Sequence, residues 1–356
     1  MSAPDTESGS VRIGSRTIGP GEPTYVVAEM SGNHGGRLDR ALAMIDAAAE
    51  AGADAVKIQV YRPDTITLDS AKPDFRIATD NAWAEHQTLY QLYQKAHTPW
   101  EWLPDLFGRA ERVGIALFGS VFDHSSVAAL ERFDPPAYKI AAPEICDLPL
   151  LRTVAATGKP VLLSTGLASL TDLATAVALL ERHGAGGIVL LKCSTAYPAP
   201  EDEINLRTIP NLAETFACPA GFSDHTLGIG VALAAIGLGA RVIEKHFTLD
   251  DEDTVDGFFS LQVDALAAMI TEIHRAERAL GRVDHSLTPG ARANAQGRRS
   301  LYVSAPIAAG ETLTPENIRS VRPGHGLDTR YYDIVLGRTA ACDLEEGDRL
   351  SWDVVG

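Results

Sequence analysis

Two histidines, His225 and His246, each follow a short apolar run in the second half of the chain. Two imidazoles, completed by water and a carboxylate, are a reasonable ligand set for a hard or borderline divalent cation. His34 and His124 follow similar runs and compete for the same role. The residue types therefore indicate a metal site, with His225 and His246 as its first candidate ligands.

Two lysines lie inside apolar runs, where a charged side chain is costly to bury unless it has a partner. Lys57 lies in the run Ala-Val-Lys-Ile and Lys139 in the run Ala-Tyr-Lys-Ile. We expect each lysine to face an anion, and hydroxyl side chains at the ends of other runs to complete a cradle for phosphate or carboxylate. These hydroxyl side chains are Ser120, Ser164, Thr195 and Ser223.

Eight short apolar runs alternate with longer segments of helical periodicity, and together they must position these side chains. Continuously apolar strands between helices indicate a parallel sheet that is covered on both faces. Eight such units predict a closed (β/α)8 TIM barrel, in which the carboxyl ends of the strands build the active site. The predicted strands are 25–29, 55–59, 115–118, 137–140, 161–164, 188–192, 220–223 and 242–245.

The predicted helices cover 38–51, 100–113, 125–133, 170–183 and 263–280. One connection is much longer than the others, because about 55 residues, 60–114, separate the second and third strands, too many for a simple strand-to-helix loop. Polar and aromatic residues precede the helices of this segment, and we interpret it as an insertion that covers the substrate. These residues are Tyr61, Arg62, Asp69, Lys72, Asn81 and Trp83.

The alternation of strands and helices stops near residue 280. We divide the chain into a catalytic barrel over 1–282, a linker over 283–296 and a small, mostly β domain over 297–356. Tight turns are predicted at 308–311 and 345–348. Thr314 followed by Pro315 predicts the start of a helix, because proline is favoured at the first helical position after a threonine cap.

Composition limits the function. Lysine plus arginine number 31 and aspartate plus glutamate 47, which gives a net charge of −16 and argues against nucleic acid or an anionic membrane as the main partner. The four cysteines are scattered, as is typical of a reducing compartment. With no apolar signal segment and no run long enough to span a membrane, we expect a cytoplasmic protein.

Other catalytic and nucleotide-binding patterns are weak or missing in the sequence. There is no P-loop, and the glycines of 221–230 have the wrong spacing for a dinucleotide-binding turn. Ser223, Asp224 and His225 are consecutive, and adjacent residues do not by themselves form a catalytic triad.

The chain resembles the sialic acid (nonulosonate) synthases over nearly its whole length, and the pseudaminic acid synthases most closely. The C-terminal module resembles the antifreeze-like (SAF) domain of that family. The matching segments are 28–29 with 33–36, 54–59 (DAVKIQ), 137–140 (AYKI), 163–166 (LSTG), 221–226 (GFSDHT), 244–247 (EKHF) and 320–326 (SVRPGHG). The segments typical of the pseudaminic acid branch are 61–68 (YRPDTITL), 89–102 and 132–140.

The resemblance implies a metal-dependent condensation of phosphoenolpyruvate with an N-acylated amino sugar, such as a 2,4-diacetamido-2,4,6-trideoxy hexose. The products are phosphate and a nine-carbon α-keto acid such as pseudaminic acid. His225 and His246 are implied to hold Mn²⁺, with Mg²⁺ or Co²⁺ as alternatives, and the ion polarises the sugar aldehyde. The small-molecule substrates are the implied partners, together with a second subunit in a domain-swapped homodimer.

The resemblance also implies roles for individual residues. Glu29, Lys57 and the two histidines are implied to be catalytic. The phosphoenolpyruvate site is implied to contain Lys57, Ser120, Lys139, Ser164, Thr195 and Ser223. The sugar is implied to contact Gln59, Glu144, Tyr197 and Asp256, together with Arg322 from the other subunit.

Three departures from the family pattern leave the identity of the sugar open, and one of them is Thr195, where some members have asparagine. Gly119-Ser120-Val121 replaces the usual residues there, and Ala142-Pro143 removes a hydroxyl that contacts phosphate in the family. The alternatives are N-acetylneuraminate or legionaminate synthesis, another condensation of phosphoenolpyruvate with an aldehyde, and a non-catalytic sugar-binding protein.

Overall fold

In the computed structural model, which describes residues 9–294 and 297–356, a short hairpin precedes eight parallel strands that close into a barrel. The hairpin consists of β1 (Val11–Ile13) and β2 (Arg16–Ile18), which pair antiparallel. The barrel strands are β3 (Tyr25–Glu29), β4 (Ala55–Val60), β5 (Ala116–Val121), β6 (Tyr138–Ile140), β7 (Val161–Ser164), β8 (Ile188–Cys193), β9 (Ala220–Asp224) and β10 (Val242–Thr248). The predicted (β/α)8 barrel is therefore confirmed.

The barrel closes at β10, which pairs with both the first and the seventh barrel strand. Ile243 lies opposite Val26 of β3 on one side and Phe222 of β9 on the other. A two-residue strand, β11 (Leu261–Gln262), pairs parallel with the carboxyl end of β10. Closure places the carboxyl ends of all eight strands around one opening.

The side chains inside the barrel change from apolar to polar along the strands. Toward the amino ends, Val27, Phe118, Leu162 and Val242 belong to a buried apolar cluster that also includes the hairpin residue Ile13. Because side chains alternate between the two faces of a strand, the residue two positions later also points inward. The residues at these later positions are Glu29, Lys57, Ser120, Lys139, Ser164, Cys193 and Glu244.

Helices cover the outside of the barrel, and their apolar faces pack on the outward side chains of the strands in the largest buried cluster. The segment 60–114 contains three helices between β4 and β5, as its length predicts. The helices are α1 (Leu38–Glu50), α2 (Pro63–Ile66), α3 (Leu89–Ala96), α4 (Leu103–Val113), α5 (His124–Glu131), α6 (Leu148–Ala155), α7 (Leu170–Arg182), α8 (Thr208–Phe216), α9 (Gly230–Gly237) and α10 (Val263–Leu280).

The chain divides into two compact units after Gly281. The second unit begins with α11 (Pro289–Ala293), which lies in the segment predicted to be a linker. The residues 1–8 of the predicted barrel domain and 295–296 of the predicted linker lie outside the described residues. The small unit then contains β12 (Ser300–Val303) paired antiparallel with β13 (Ile318–Val321), and a short helix, α12 (Tyr332–Val335).

The helix predicted to begin at Thr314 is wrong. The side chain of Asn317 accepts a hydrogen bond from the Thr314 amide at 2.7 Å and donates one to the Thr312 carbonyl at 3.0 Å. These bonds close a turn, and β13 begins at the next residue. The predicted tight turns are confirmed, because the Glu311 amide donates to Ala308 and the Asp348 amide to Glu345.

Among residues 9–294 and 297–356, no helix is both long and apolar enough to cross a membrane.

Gly221 marks a point where β9 is too crowded for a side chain. A Cβ there would lie 2.4 Å from the Val242 carbonyl oxygen and 2.9 Å from a Leu191 methyl carbon. We expect Gly221→Ala to lower the free energy of unfolding by about 2–3 kcal/mol, because overpacking forces the neighbouring strands apart. Urea denaturation measures the change, with Gly237→Ala as a control at an uncrowded helical position. Equal losses in the two variants would contradict the tight closure at β9.

Candidate active site

A cavity of about 420 Å³ is lined by the carboxyl-terminal residues of the barrel strands and by the insertion that follows β4. Most of the side chains predicted from the sequence to bind substrate or metal line it. They are Lys57, Gln59, Ser120, Lys139, Ser164, Thr195, Tyr197, Ser223, His225, His246 and Asp256. The structure therefore brings these residues together, and their individual roles remain predictions.

Lys57 forms ion pairs with carboxylates of the protein itself. Its Nζ lies 2.7 Å from Glu29 Oε2 and 3.8 Å from Glu244 Oε1, and it donates to Ser120 Oγ at 2.9 Å. Burial lowers the pKa of Lys57, but the two carboxylates more than offset this, so the pKa lies above its ordinary value. Lys57 is a cation whose counter-charge is already present in the protein.

The positive charge of Lys139 is compensated much more weakly by the carboxylates of the protein. Its Nζ donates to Ser164 Oγ at 2.7 Å and to the Ile140 carbonyl at 3.1 Å, and its nearest carboxylate oxygen, on Glu244, is 3.9 Å away. Burial lowers its pKa by more than the attraction of Glu244 raises it. An anion in the cavity would supply the missing counter-charge, as the sequence predicted for this lysine.

Glu244 lies between the two lysines, and no role for it is predicted from the sequence. It accepts a hydrogen bond from Ser223 Oγ at 2.8 Å, and its second carboxylate oxygen is buried without a hydrogen-bond partner. Burial raises its pKa, but Lys139 and Lys57 outweigh burial and hold the pKa below its ordinary value. Its place at the end of an apolar strand is the signal that could have identified it.

His225 and His246 lie beside each other, with ring centroids 5.3 Å apart. His225 Nδ1 lies 2.6 Å from the Ser194 carbonyl, which can only accept, so Nδ1 carries the proton and Nε2 keeps its lone pair. His246 Nδ1 is buried without a hydrogen-bond partner. Burial lowers the pKa of His225 to about 4 and that of His246 well below its usual range, which keeps both rings neutral at pH 7.

Two neutral imidazoles that line one cavity fit a divalent cation, which needs their lone pairs. In the part of the chain that the structure describes, no group of three or more histidine, cysteine, aspartate or glutamate side chains is arranged to hold an ion. A cation held here would therefore have two protein ligands, with its other positions left for water or substrate. His34 is a poorer candidate, because its Nδ1 accepts from the Gly36 amide and it does not line the cavity.

A buried ion pair beside the histidines holds their strands together. Lys245 Nζ lies 2.8 Å from Asp224 Oδ2 and also donates to the Thr226 carbonyl, and both charged side chains are almost fully buried. Asp224 Oδ1 accepts from the Thr226 amide at 2.8 Å. Asp224 directly precedes His225 and Lys245 directly precedes His246, so this pair fixes the spacing of the two imidazoles.

Asp256 reaches the cavity from the loop after β10. Its carboxylate accepts a hydrogen bond from Ser31 Oγ, and burial raises its pKa. Arg40 anchors the same loop, because its guanidinium bonds both oxygens of Asp250 at 2.9 Å and donates to the Asn33 carbonyl at 2.8 Å. The Asn-His segment after β3 therefore positions this loop and does not itself reach the cavity.

The insertion covers one side of the cavity, as predicted from its length. Trp83 donates from its indole nitrogen to the Val255 carbonyl at 2.8 Å and lies edge-on to Tyr197, with ring centroids 5.3 Å apart. Phe259 packs against His246 at 4.7 Å and against Tyr197 at 5.2 Å. The aromatic rings thus connect the insertion to His246 and, through Tyr197, to His225.

Three predicted residues do not line the cavity. Glu29 lies beneath it, bonded to Lys57 and to Gln59 Nε2 at 3.1 Å, and burial raises its pKa. Glu144, in the short helix after β6, has a pKa raised by burial to about 7. Arg322 belongs to the small unit, just after β13.

The departure from the family pattern at Ala142-Pro143 lies in the cavity wall. Both side chains line the cavity next to Lys139, and neither offers a hydroxyl. The Ser164 hydroxyl remains the partner of that lysine, at 2.7 Å. The described structure therefore keeps one hydroxyl contact on Lys139 despite the lost serine.

Comparison with family models gives two matches. Residues 44–285 match the NeuB family, and residues 298–355 match the SAF domain. The first match covers most of the barrel and the second almost the whole small unit after α11.

Individual relatives match over nearly the full chain. Pseudaminic acid synthase from Campylobacter jejuni (strain 81-176) is 42% identical over 327 residues, which are 92% of this chain and 95% of the relative. N,N'-diacetyllegionaminic acid synthase from Campylobacter jejuni (strain NCTC 11168) is 34% identical over 330 residues, 91% of this chain and 98% of the relative. The crystal structure of spore coat polysaccharide biosynthesis protein spsE from Bacillus subtilis has a TM-score of 0.67 at 32% identity, covering 98% and 99% of the two chains.

The Lys245–Asp224 pair can be tested by removing one partner. We expect Lys245→Met to lower the free energy of unfolding by about 3–5 kcal/mol, because Asp224 is then left buried without a counter-charge. Thermal or urea unfolding measures the loss. Lys192→Met serves as the control, because Lys192 is half-buried and donates to the Cys193 carbonyl at 3.0 Å. If both variants lose the same stability, the ion pair does not hold the strands as described.

Proposed function

The chain belongs to the NeuB family, and from this we propose the following function. The enzyme condenses phosphoenolpyruvate with an N-acylated amino sugar, and the products are a nonulosonic acid and phosphate. The observation that carries this proposal is the buried Lys139, whose nearest carboxylate oxygen lies 3.9 Å away, in the same cavity as two adjacent histidines. In such a cavity the lysine would bind an anionic substrate, and the histidines would hold a cation that activates a carbonyl group.

Phosphoenolpyruvate fits the floor of the cavity by charge. Its phosphate and carboxylate are anionic, and the floor offers Lys139 and Lys57 together with the hydroxyls of Ser120 and Ser164. Charge-assisted hydrogen bonds from buried lysines are stronger than those in water. Binding of the anion offsets the cost of burying Lys139, while Glu29 keeps Lys57 charged.

The reaction forms two bonds to carbon, one from enolpyruvate C3 to the aldehyde carbon and one from the water oxygen to C2, and it breaks the bond between C2 and the phosphate oxygen. Enolpyruvate C3 attacks the aldehyde carbon, water adds at C2, and phosphate leaves with the electron pair of its C–O bond. The water gives up both of its protons: one is taken up by the aldehyde oxygen, and the other leaves with phosphate as the C2 carbonyl forms. We propose that Glu244, a carboxylate that lies between the two lysines, accepts a proton from the attacking water. Lys139 is proposed to stabilise the leaving phosphate.

The metal site completes the proposal. When bound, a divalent ion supplies a Lewis acid for the aldehyde oxygen, and His225 and His246 would hold it. Mn²⁺ is our first choice, with Mg²⁺ and Co²⁺ as alternatives. Ser194 and the Lys245–Asp224 pair orient the two imidazoles, so the protein presents them without further rearrangement.

The acceptor is proposed to be a 2,4-diacetamido-2,4,6-trideoxy hexose, which gives pseudaminic acid or a stereoisomer. The higher identity to a pseudaminic acid synthase than to a legionaminic acid synthase supports this choice. Gln59, Tyr197 and Asp256 line the upper part of the cavity and are our candidates for contacting the sugar. Arg322 is proposed to complete the site from the partner in a domain-swapped dimer.

The proposal is tested by measuring phosphate release with purified enzyme. We expect release only when phosphoenolpyruvate, the diacetamido hexose and Mn²⁺ are all present, with a nine-carbon keto acid of matching mass. Chelation should abolish release and added Mn²⁺ should restore it, because the two histidines alone do not polarise the aldehyde. His246→Asn should lose metal binding by calorimetry, whereas His183→Asn, exposed at the end of α7, should keep it.

If metal-loaded enzyme releases no phosphate with any N-acylated hexose, the proposed function is wrong. Release with a phosphorylated sugar alone would instead assign the chain to a different condensation of phosphoenolpyruvate.

A further inference from the structure

We infer that α3 selects the acceptor: its apolar face forms a subsite for methyl groups on the part of the sugar remote from the aldehyde. This inference rests on the proposed function and names the residues that would decide which sugar is used. It concerns the insertion after β4, which the reaction chemistry itself does not need.

The face of α3 that lines the cavity is continuous. Leu89, Leu92, Tyr93 and Ala96 follow the i, i+3, i+4, i+7 spacing of one helical face, and all four line the cavity. Of the residues between them, Gln91, Gln94 and Lys95 are exposed and Tyr90 is half-buried. Such an apolar stripe usually packs against a protein core, but here it faces the space where substrate binds.

This wall is fixed in place at both ends. Thr88 Oγ1 caps the helix by accepting from the Gln91 amide at 3.3 Å. At the other end Ala96 packs on Gly32, where a Cβ would lie 3.3 Å from the Ala96 Cα. The Tyr93 ring lies edge-on to Tyr61, with centroids 5.5 Å apart. A rigid wall can discriminate between substituents, because it cannot move to offer a polar partner.

The orientation of the acceptor follows from the chemistry at the floor. The aldehyde carbon must lie beside phosphoenolpyruvate, near Lys139 and the two histidines. The far end of the open-chain sugar then extends away from the floor, toward the insertion. A hydroxyl that meets Leu89 and Leu92 would lose its water partners without gaining a hydrogen bond, whereas a methyl group would lose nothing.

The apolar wall therefore matches an acceptor with a deoxy carbon at its far end and methyl groups on its acyl substituents. Hydrogen-bonding groups remain on the neighbouring surfaces, where Gln59 and the Tyr61 ring line the same cavity. Those groups are placed to bind the acyl oxygen and nitrogen atoms, while α3 recognises the methyl groups.

The test compares two acceptors that differ at one atom: a 2,4-diacetamido-2,4,6-trideoxy hexose and its 6-hydroxy counterpart. We expect wild-type enzyme to prefer the deoxy sugar by roughly 10²-fold in kcat/KM, the scale on which an apolar pocket rejects an added hydroxyl. Leu92→Asn should reduce this ratio about tenfold or more, because the new amide can bond the hydroxyl. Ala96→Ser, a smaller change, should shift the ratio in the same direction.

Controls separate selectivity from structural damage. Gln91→Asn places the same side chain on the exposed face of α3 and should leave the ratio unchanged. The KM for phosphoenolpyruvate should stay within about threefold in all variants, because the floor is untouched.

An unchanged ratio in both Leu92→Asn and Ala96→Ser would overturn the inference, as would a wild-type enzyme that uses both sugars equally well. In either case the proposed condensation would stand. A wild-type enzyme inactive with every N-acylated hexose would instead refute the proposed function, and the inference with it.

Discussion

The structure depends on how a closed barrel tolerates two lysines in its interior. Lys57 and Lys139 are both almost fully buried, and a single carboxylate, Glu244, lies within 4 Å of each. Glu29 adds a second counter-charge, but only for Lys57. This asymmetry leaves Lys139 short of negative charge, so burial disfavours its protonated form until an anion joins it.

The rest of the barrel supports this arrangement. The amino-terminal half of the interior is filled by apolar side chains and capped by the β1–β2 hairpin, which keeps water from reaching the lysines from below. On most of the barrel strands a polar residue follows two positions later, so the charged layer lies just beneath the cavity. The same alternation of side chains that buries Val242 points Glu244 and His246 into the site.

Much of the fold and the cavity could be predicted from the sequence. The strands are mainly apolar, and the polar residues toward their carboxyl ends had to meet once the barrel closed. The pairing of charges could not be predicted, because it depends on which strands are neighbours across the barrel. Glu244 had no visible partner in the sequence, and Lys57 was expected to need an external anion although Glu29 lies 2.7 Å from it.

Two further features could not be predicted, because they depend on contacts between segments that are far apart in the sequence. The apolar face of α3 looks like an ordinary core-facing stripe in sequence, and only the cavity shows what it covers. The helix predicted from Thr314 and Pro315 failed because the Asn317 side chain closes a turn there, and β13 then pairs with β12. A local capping signal was outweighed by strand pairing, as is common for short segments.

We expect Lys139 to be the residue that binds an anionic group of the substrate. Calorimetric titration of phosphoenolpyruvate into Lys139→Met, without metal or sugar, tests it most directly. The account predicts that affinity falls at least about 100-fold relative to wild type, since a charge-assisted contact of this kind contributes about 3 kcal/mol. Binding within about threefold of wild type, in a variant that unfolds at the same urea concentration, would contradict the account.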